Sequence, residues 1–202
     1  MKLFKKILDY INKPRPGEDP IEERGKFMPD VELPVDEKFT INFKKNGGKF
    51  IYCDSIDEIY DSFNSILLEN NWKGEHIFCV NSKLRQRFET LGGRFSAKLQ
   101  DSVAFISTCE NLVADNGAIL VSSNQIGELK LHDLPDNLII FATTSQLVNT
   151  IGEGLRGIKN KNKDHIPTNI TTIKHFNTQG EKNFLTYGSN SKNLYLLLLE
   201  DL

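Results

Sequence analysis

Long hydrophobic runs are missing from this chain: no stretch approaches the roughly 18 consecutive apolar residues that a bilayer-spanning helix needs. The first residues also lack the apolar centre and small-residue cleavage site of a signal peptide. Cytoplasmic location is the expectation that remains. Cysteine is scarce. Cys53, Cys79 and Cys109 stand far apart without a Cys-x-x-Cys pair, which excludes a cysteine-ligated iron–sulfur cluster made by this chain alone. Each closes or follows an apolar run and reads as a small buried thiol in a reducing compartment. His76, His132, His165 and His175 show no short pairing, so no metal site is expected. Excess charge is absent too: 25 basic residues face 27 acidic ones, and a net charge of −2 supplies no field to attract nucleic acid.

Several motifs are equally missing. There is no Gly-x-Ser-x-Gly elbow and no Walker lysine. Gly152-Glu153-Gly154-Leu155-Arg156-Gly157 matches the dinucleotide fingerprint in letters only. Its glycines lie inside a helical pattern, whereas a pyrophosphate site needs them between a strand and a helix N-terminus. A chance match or close helix packing is the better reading, and no cofactor is expected.

What is present organises itself into three parts. Residues 1–12 form a short basic amphipathic helix, with Leu3, Phe4, Ile7, Leu8 and Ile11 at helical spacing among Lys2, Lys5 and Lys6. It suits docking on its own domain, on a partner or on a membrane surface. Residues 13–38 hold five of the seven prolines and read as a linker or arm. Residues 39–202 form an α/β domain. Its opening, Phe39, Ile41 and Phe43, fits either alternation in a strand or the start of a helix.

Lys49–Cys53 is the first clear strand, followed by Asp54-Ser55 as a cap and the stripe Ile56, Ile59, Tyr60, Phe63, Ile66, Leu67. His76–Val80 is the next strand. Asn81-Ser82 then caps a helix carrying Leu84, Phe88 and Leu91. The pattern recurs at Asn137–Ala142, where Thr143, Thr144 or Ser145 precedes a helix with Leu147, Val148, Ile151, Leu155 and Ile158 inward. Strand followed by capped helix is the sequence form of a parallel sheet. Asn193–Leu199 does not alternate, which places it inside the sheet, covered on both faces. The expected fold is three-layer α/β, a mostly parallel sheet covered by helices, with a β-hairpin near 112–122 and an N-terminal helical arm.

The hairpin follows from Asp115-Asn116-Gly117 between Leu112-Val113-Ala114 and Ala118-Ile119-Leu120-Val121, since Asn-Gly readily accepts positive φ. Glu110 falls just before it, beside a strand end. A carboxylate there serves as nucleophile, general base or hydroxyl anchor, unless it is a plain solvated loop residue. Parallel strands send Asp54-Ser55, Asn81-Ser82 and Thr143-Thr144-Ser145 to one end of the sheet, where ligands bind and helix N-termini attract anions. Each is also explained as an ordinary N-cap. Two basic groups, Arg85, Arg87, Arg94, Lys98 and Arg156, Lys159, Lys161, Lys163, are available to a phosphate or carboxylate or else form solvated faces.

The run Cys109-Glu110-Asn111-Leu112-Val113-Ala114, then a Gly turn, then hydrophobics ending in Ser122-Ser123, resembles the signature of the LUD-domain family, the lactate-utilisation protein C group. The resemblance spans roughly residues 39–202. It implies a fold similar to that of the sugar-phosphate isomerase and CoA-transferase superfamily, and an association with bacterial lactate oxidation beside iron–sulfur proteins. Two places depart from the family. Asp115-Asn116-Gly117 replaces a turn that often holds Arg-Thr-Gly or Glu-Thr-Gly. Lys174-His175-Phe176-Asn177-Thr178-Gln179-Gly180-Glu181 replaces a hydroxyl- and carboxylate-rich Gly-Pro-Ser-x-Thr-x-Asp-Ile-Glu run, so ligand motifs are partly lost. The candidate catalytic residue is Glu110. The candidate ligand-binding residues, for a small anion, are Ser82, Asn116, Gly117, Ser122, Ser123, Thr143, Thr144 and Ser145. An accessory or binding subunit that meets an iron–sulfur or other redox partner through its N-terminal arm is the leading expectation, more so than catalysis by the chain itself. A CoA-transferase-like or isomerase-like enzyme using Glu110 is the alternative.

Overall fold

The computed structural model of the chain describes residues 33–91, 93–96, 98–176 and 192–201. The basic helix expected at 1–12, residues 13–32 of the expected linker and residues 177–181 lie outside them, whereas residues 35–38 of that linker are helical. Apolar runs that do not alternate must be covered on both sides, and such runs supply most of one six-stranded sheet. Its order is β1 (Lys49–Cys53), β10 (Asn193–Leu199), β7 (Asn137–Thr143), β4 (Ser102–Ser107), β2 (His76–Phe78) and β3 (Arg94–Ser96), and every neighbouring pair is parallel. As the unbroken leucine run requires, β10 is interior, with Leu196 opposite Phe50 on one side and Ile140 on the other.

The faces of β10 sort by parity. Leu194, Leu196 and Leu198 enter one core, whereas Tyr195 and Leu197 enter another. Over the second of these faces lie two helices, α2 (Ile56–Glu69) and α3 (Ser82–Glu89). Each starts where the sequence places a cap: Ser55 Oγ accepts from the Glu58 N–H at 3.2 Å, and Asn81 Oδ1 accepts from the Leu84 N–H at 3.0 Å. Ile59, Phe63, Ile66, Leu67, Leu84 and Phe88 are buried by them.

The third layer is composite. It contains α1 (Val35–Lys45), the turn α4 (Ser123–Ile126), the helix α5 (Ile151–Lys161) and a second sheet of order β8 (Leu147–Val148), β5 (Asn111–Val113), β6 (Ala118–Val121) and β9 (Thr171–Ile173). One side of that sheet, with Leu112, Ile119 and Val121, packs on the large sheet. The other, with Val113, Ala118 and Leu120, packs on Ile158 of α5. The expected three-layer α/β architecture with its hairpin is thus present.

Phe39, Ile41 and Phe43 resolve as helix. Phe39 and Phe43, one turn apart in α1, stack with ring centroids 5.3 Å apart, while Ile41 stays 45% exposed. Helical geometry, unlike strand alternation, puts i and i+4 on one face and i+2 elsewhere. Helix α1 also grips the hairpin turn. The Asn42 amide donates to Ala114 O at 2.8 Å, the Asn46 amide to Asn116 O at 2.7 Å, and Lys38 pairs with Asp115.

One expectation is overturned. Thr143–Ser145 do not cap a helix that contains Leu147 and Val148. Thr144–Gln146 make one 3-10 turn, and Leu147 and Val148 then pair in parallel with Leu112 and Val113 as β8. The helix begins at Ile151, capped by Thr150, whose Oγ1 accepts from Glu153 N–H at 3.1 Å. Unpaired backbone groups of the hairpin's outer edge outweigh the helical spacing of two apolar residues. The glycine-rich stretch lies within α5 as expected. Gly154 faces the small sheet so closely that a Cβ would stand 3.1 Å from Leu120 and 3.3 Å from Asn111 Oδ1.

Candidate functional site

Parallel strands deliver their C-terminal ends to one edge of the large sheet, and the polar corners do gather there. Glu200, just past β10, donates its N–H to Cys53 O at 2.9 Å and its carboxylate accepts from the Tyr52 hydroxyl. Gln146, after β7, reaches across to Cys109 O at 2.7 Å, after β4. Its Oε1 accepts from Thr143 N–H at 2.9 Å, closing the 3-10 turn from the other side.

Beside these ends is a cavity of about 310 Å³. Thr108, Cys109 and Glu110 form its β4 side, Asn124 and Gln125 of α4 a second wall, Phe141 and Gln146 a third, and Lys161 and Asn162 at the end of α5 a fourth. Glu110 is half-buried and held by one oxygen. Ser122 Oγ donates to Glu110 Oε1 at 2.6 Å and Asn124 Nδ2 donates to the same atom at 3.0 Å. Among the described residues none bonds Oε2. Ser122 is itself fully buried, fixed by a capping box in which its N–H donates to Gln125 Oε1 at 2.8 Å. Such a carboxylate is oriented by two donors with one oxygen left for another molecule, the geometry of an anchor or a base.

Cys109 is not a nucleophile here. Burial first, and the adjacent Glu110 second, push its thiol far above the ordinary range, so it stays protonated. Burial also pushes Cys79 up to about 11 and raises Cys53. All three cysteines are free and buried, as the sequence suggests.

The structure divides the candidate ligand residues. Ser122 joins Glu110. Ser123 turns away, its Oγ accepting from Thr168 N–H at 3.1 Å. Asn116 and Gly117 occupy the far end of the hairpin and serve α1. Ser82 is exposed at the start of α3, and no hydrogen bond among the described residues links it to Glu110. Thr143, Thr144 and Ser145 do hold an anion, but it is the chain's own Asp201. Ser145 Oγ donates to Asp201 Oδ2 at 2.7 Å, and Ser145 N–H and Thr144 Oγ1 each reach Oδ1 at 2.8 Å.

Slight desolvation works against the Asp201 charge, but the hydrogen bonds from the Ser145 side chain and backbone, and from Thr144 and Thr143, prevail and hold its carboxyl down at about 2. A depressed carboxyl stabilises the fold above its unfolded value of 3.8, and this contribution is lost as pH falls through about 2. The expected observation is an Asp201 carboxyl resonance titrating near that lower value, and moving up towards 3.8 in Ser145→Ala. An unmoved midpoint in that variant would contradict the arrangement.

Sequence reasoning did not assemble the opposite wall. Lys161 was one of eight dispersed cations and Asn162 carried no signal at all. Asp201 carried no signal either.

A sequence model of the LUD domain matches residues 37–199. No curated protein matches the chain. Among solved structures, a DUF162 family protein from Deinococcus radiodurans is similar in fold, with a TM-score of 0.58 at 14% identity over 83% of this chain and 96% of that one.

Proposed function

This chain belongs to the LUD domain family, and from that premise we propose that it is a ligand-binding accessory protein of a lactate-utilisation or related redox pathway. Its ligand site is the cavity beside Glu110. The observation that supports this reading is the unclaimed Oε2 of Glu110 inside a polar cavity at the C-terminal edge of a parallel sheet, the place where such folds bind small molecules. The redox centre belongs to a partner, an iron–sulfur protein or another redox protein met through residues 1–38, because the three thiols of this chain are buried and separate. Among the described residues no helix is long and apolar enough to cross a membrane.

A second reading is favoured by the same carboxylate. With Oε1 fixed by Ser122 and Asn124, Oε2 is placed to attack an acyl carbon or take a proton, as in a CoA-transferase-like or isomerase-like enzyme.

A thermal-melting panel of lactate, pyruvate, amino acids, CoA, acyl-CoA and sugar phosphates separates these. A ligand at ~100 times its Kd stabilises by roughly 2.7 kcal/mol, a rise of about 5–10 °C at this size. Glu110→Gln is expected to remove that rise and leave the unliganded midpoint within about 2 °C. No rise with any compound sinks the ligand site. Turnover by the wild type that vanishes in Glu110→Gln sinks the accessory role and establishes the enzymatic one. Capture of an iron–sulfur protein by the full chain, lost on deletion of residues 1–32 with α1 left whole, is the expected result for the partner.

A further inference from the structure

The polar groups left over around the cavity restrict what it holds. The amide donors of its lining are partly engaged, while Gln125 Nε2 has no described partner. Asn124 Nδ2 serves Glu110, Gln146 Nε2 serves Cys109 O, and Asn162 Nδ2 donates to Ile158 O at 2.8 Å. What remains without a described partner is rich in acceptors: Glu110 Oε2, Asn124 Oδ1 and Asn162 Oδ1. Lys161 and Asn162 are the last residue and the C-cap of α5, so that wall also presents a helix C-terminus, whose partial negative charge favours cations. Against these acceptors stands one cation, Lys161, exposed and in no ion pair with a described residue.

A plain carboxylate satisfies Lys161 but meets Glu110 and the helix end with the wrong sign. A sugar phosphate brings more negative charge than one ammonium can balance. An uncharged polyol leaves Lys161 unused. A group with several N–H donors and positive charge at one end, and a carboxylate at the other, matches both charges and leaves the cavity electrically neutral. At about 310 Å³ the space lies at the small end of ligand pockets.

Resting on the reading that this cavity is the ligand site, we infer that it binds a small amino-carboxylate zwitterion, its ammonium on Glu110 and its carboxylate on Lys161. Two charge-assisted hydrogen-bonded contacts of opposite sense give recognition at both ends.

The test is titration of the full chain with glycine, alanine, serine, β-alanine and γ-aminobutyrate, each beside its N-acetyl form and its carboxamide, with lactate and CoA in parallel. At least one parent compound is expected to bind about tenfold to a hundredfold more tightly than either blocked form. Glu110→Gln should erase the discrimination against N-acetylation and keep that against the carboxamide. Lys161→Met, at an exposed position, should do the reverse. Blocked forms binding as well as their parents overturn the inference. Glu110-dependent binding of lactate or CoA with all amino-carboxylates inert overturns it while leaving the site intact. Failure of every compound overturns both.

Discussion

Gly117→Ala is expected to lower stability by about 2–5 kcal/mol, combining the left-handed backbone penalty with overpacking. Gly117 has φ +63° at the hairpin tip, a conformation that disfavours any Cβ. The surroundings are stricter still. A Cβ there would stand 2.4 Å from Asn42 C and 2.4 Å from Phe43 N, both backbone atoms of α1. Backbone inside a helix cannot step aside as a flexible side chain can. Either the turn withdraws, releasing the Asn42 and Asn46 bonds, or α1 lifts and disturbs the contact of Phe43 with Phe176, whose ring centroids are 4.9 Å apart. The midpoint of thermal unfolding should fall by about 5–20 °C, measured by circular dichroism on the full chain. A fall of less than about 1 °C would mean that hairpin and helix do not meet as described.

Phe88→Ala carries an effect at least as large, about 3–5 kcal/mol for a large buried ring. Phe88 is fully buried, with Phe63, Tyr60 and Phe141 ring centroids at 4.8, 5.8 and 6.2 Å. It is also one of the two buried residues of α3, the other being Leu84. An eight-residue helix is not stable alone, so its packing holds it in place. The loss should therefore be uneven. Hydrogen exchange is expected to accelerate across Ser82–Glu89 more than across β7 or β10. Uniform acceleration over the sheet would show instead that α3 and the sheet unfold as one unit.

Capped helices and the hairpin were readable because their signals are local. Ser55, Asn81 and the Asn116-Gly117 pair act within a few residues of themselves: the two caps form as the sequence implies, and the hairpin turns with positive φ at Gly117 but not at Asn116. Phe39, Ile41 and Phe43 were ambiguous because phenylalanines four apart satisfy alternation and helical spacing alike. Leu147 and Val148 misled for a related reason. They continue the stripe of Ile151 and Leu155, and only the position of β5 beside them reveals a two-residue strand. Glu110 was visible as a strand-end carboxylate, whereas its cavity was not. The Lys161 wall depends on where α5 packs against the small sheet, which no periodicity encodes. Strand order was hidden likewise, since hydrophobic runs say that a strand is interior without saying who its neighbours are.

The seat of β10 between β1 and β7 bears on how the protein is made. During translation β1, β4 and β7 are made before residues 193–199 exist, so the nascent sheet carries a gap between β1 and β7. Until residues 193–199 emerge, the edges of β1 and β7 that β10 will join offer unpaired backbone to any passing strand. Chaperone demand should therefore peak before that segment emerges, and messages truncated ahead of it should yield insoluble products.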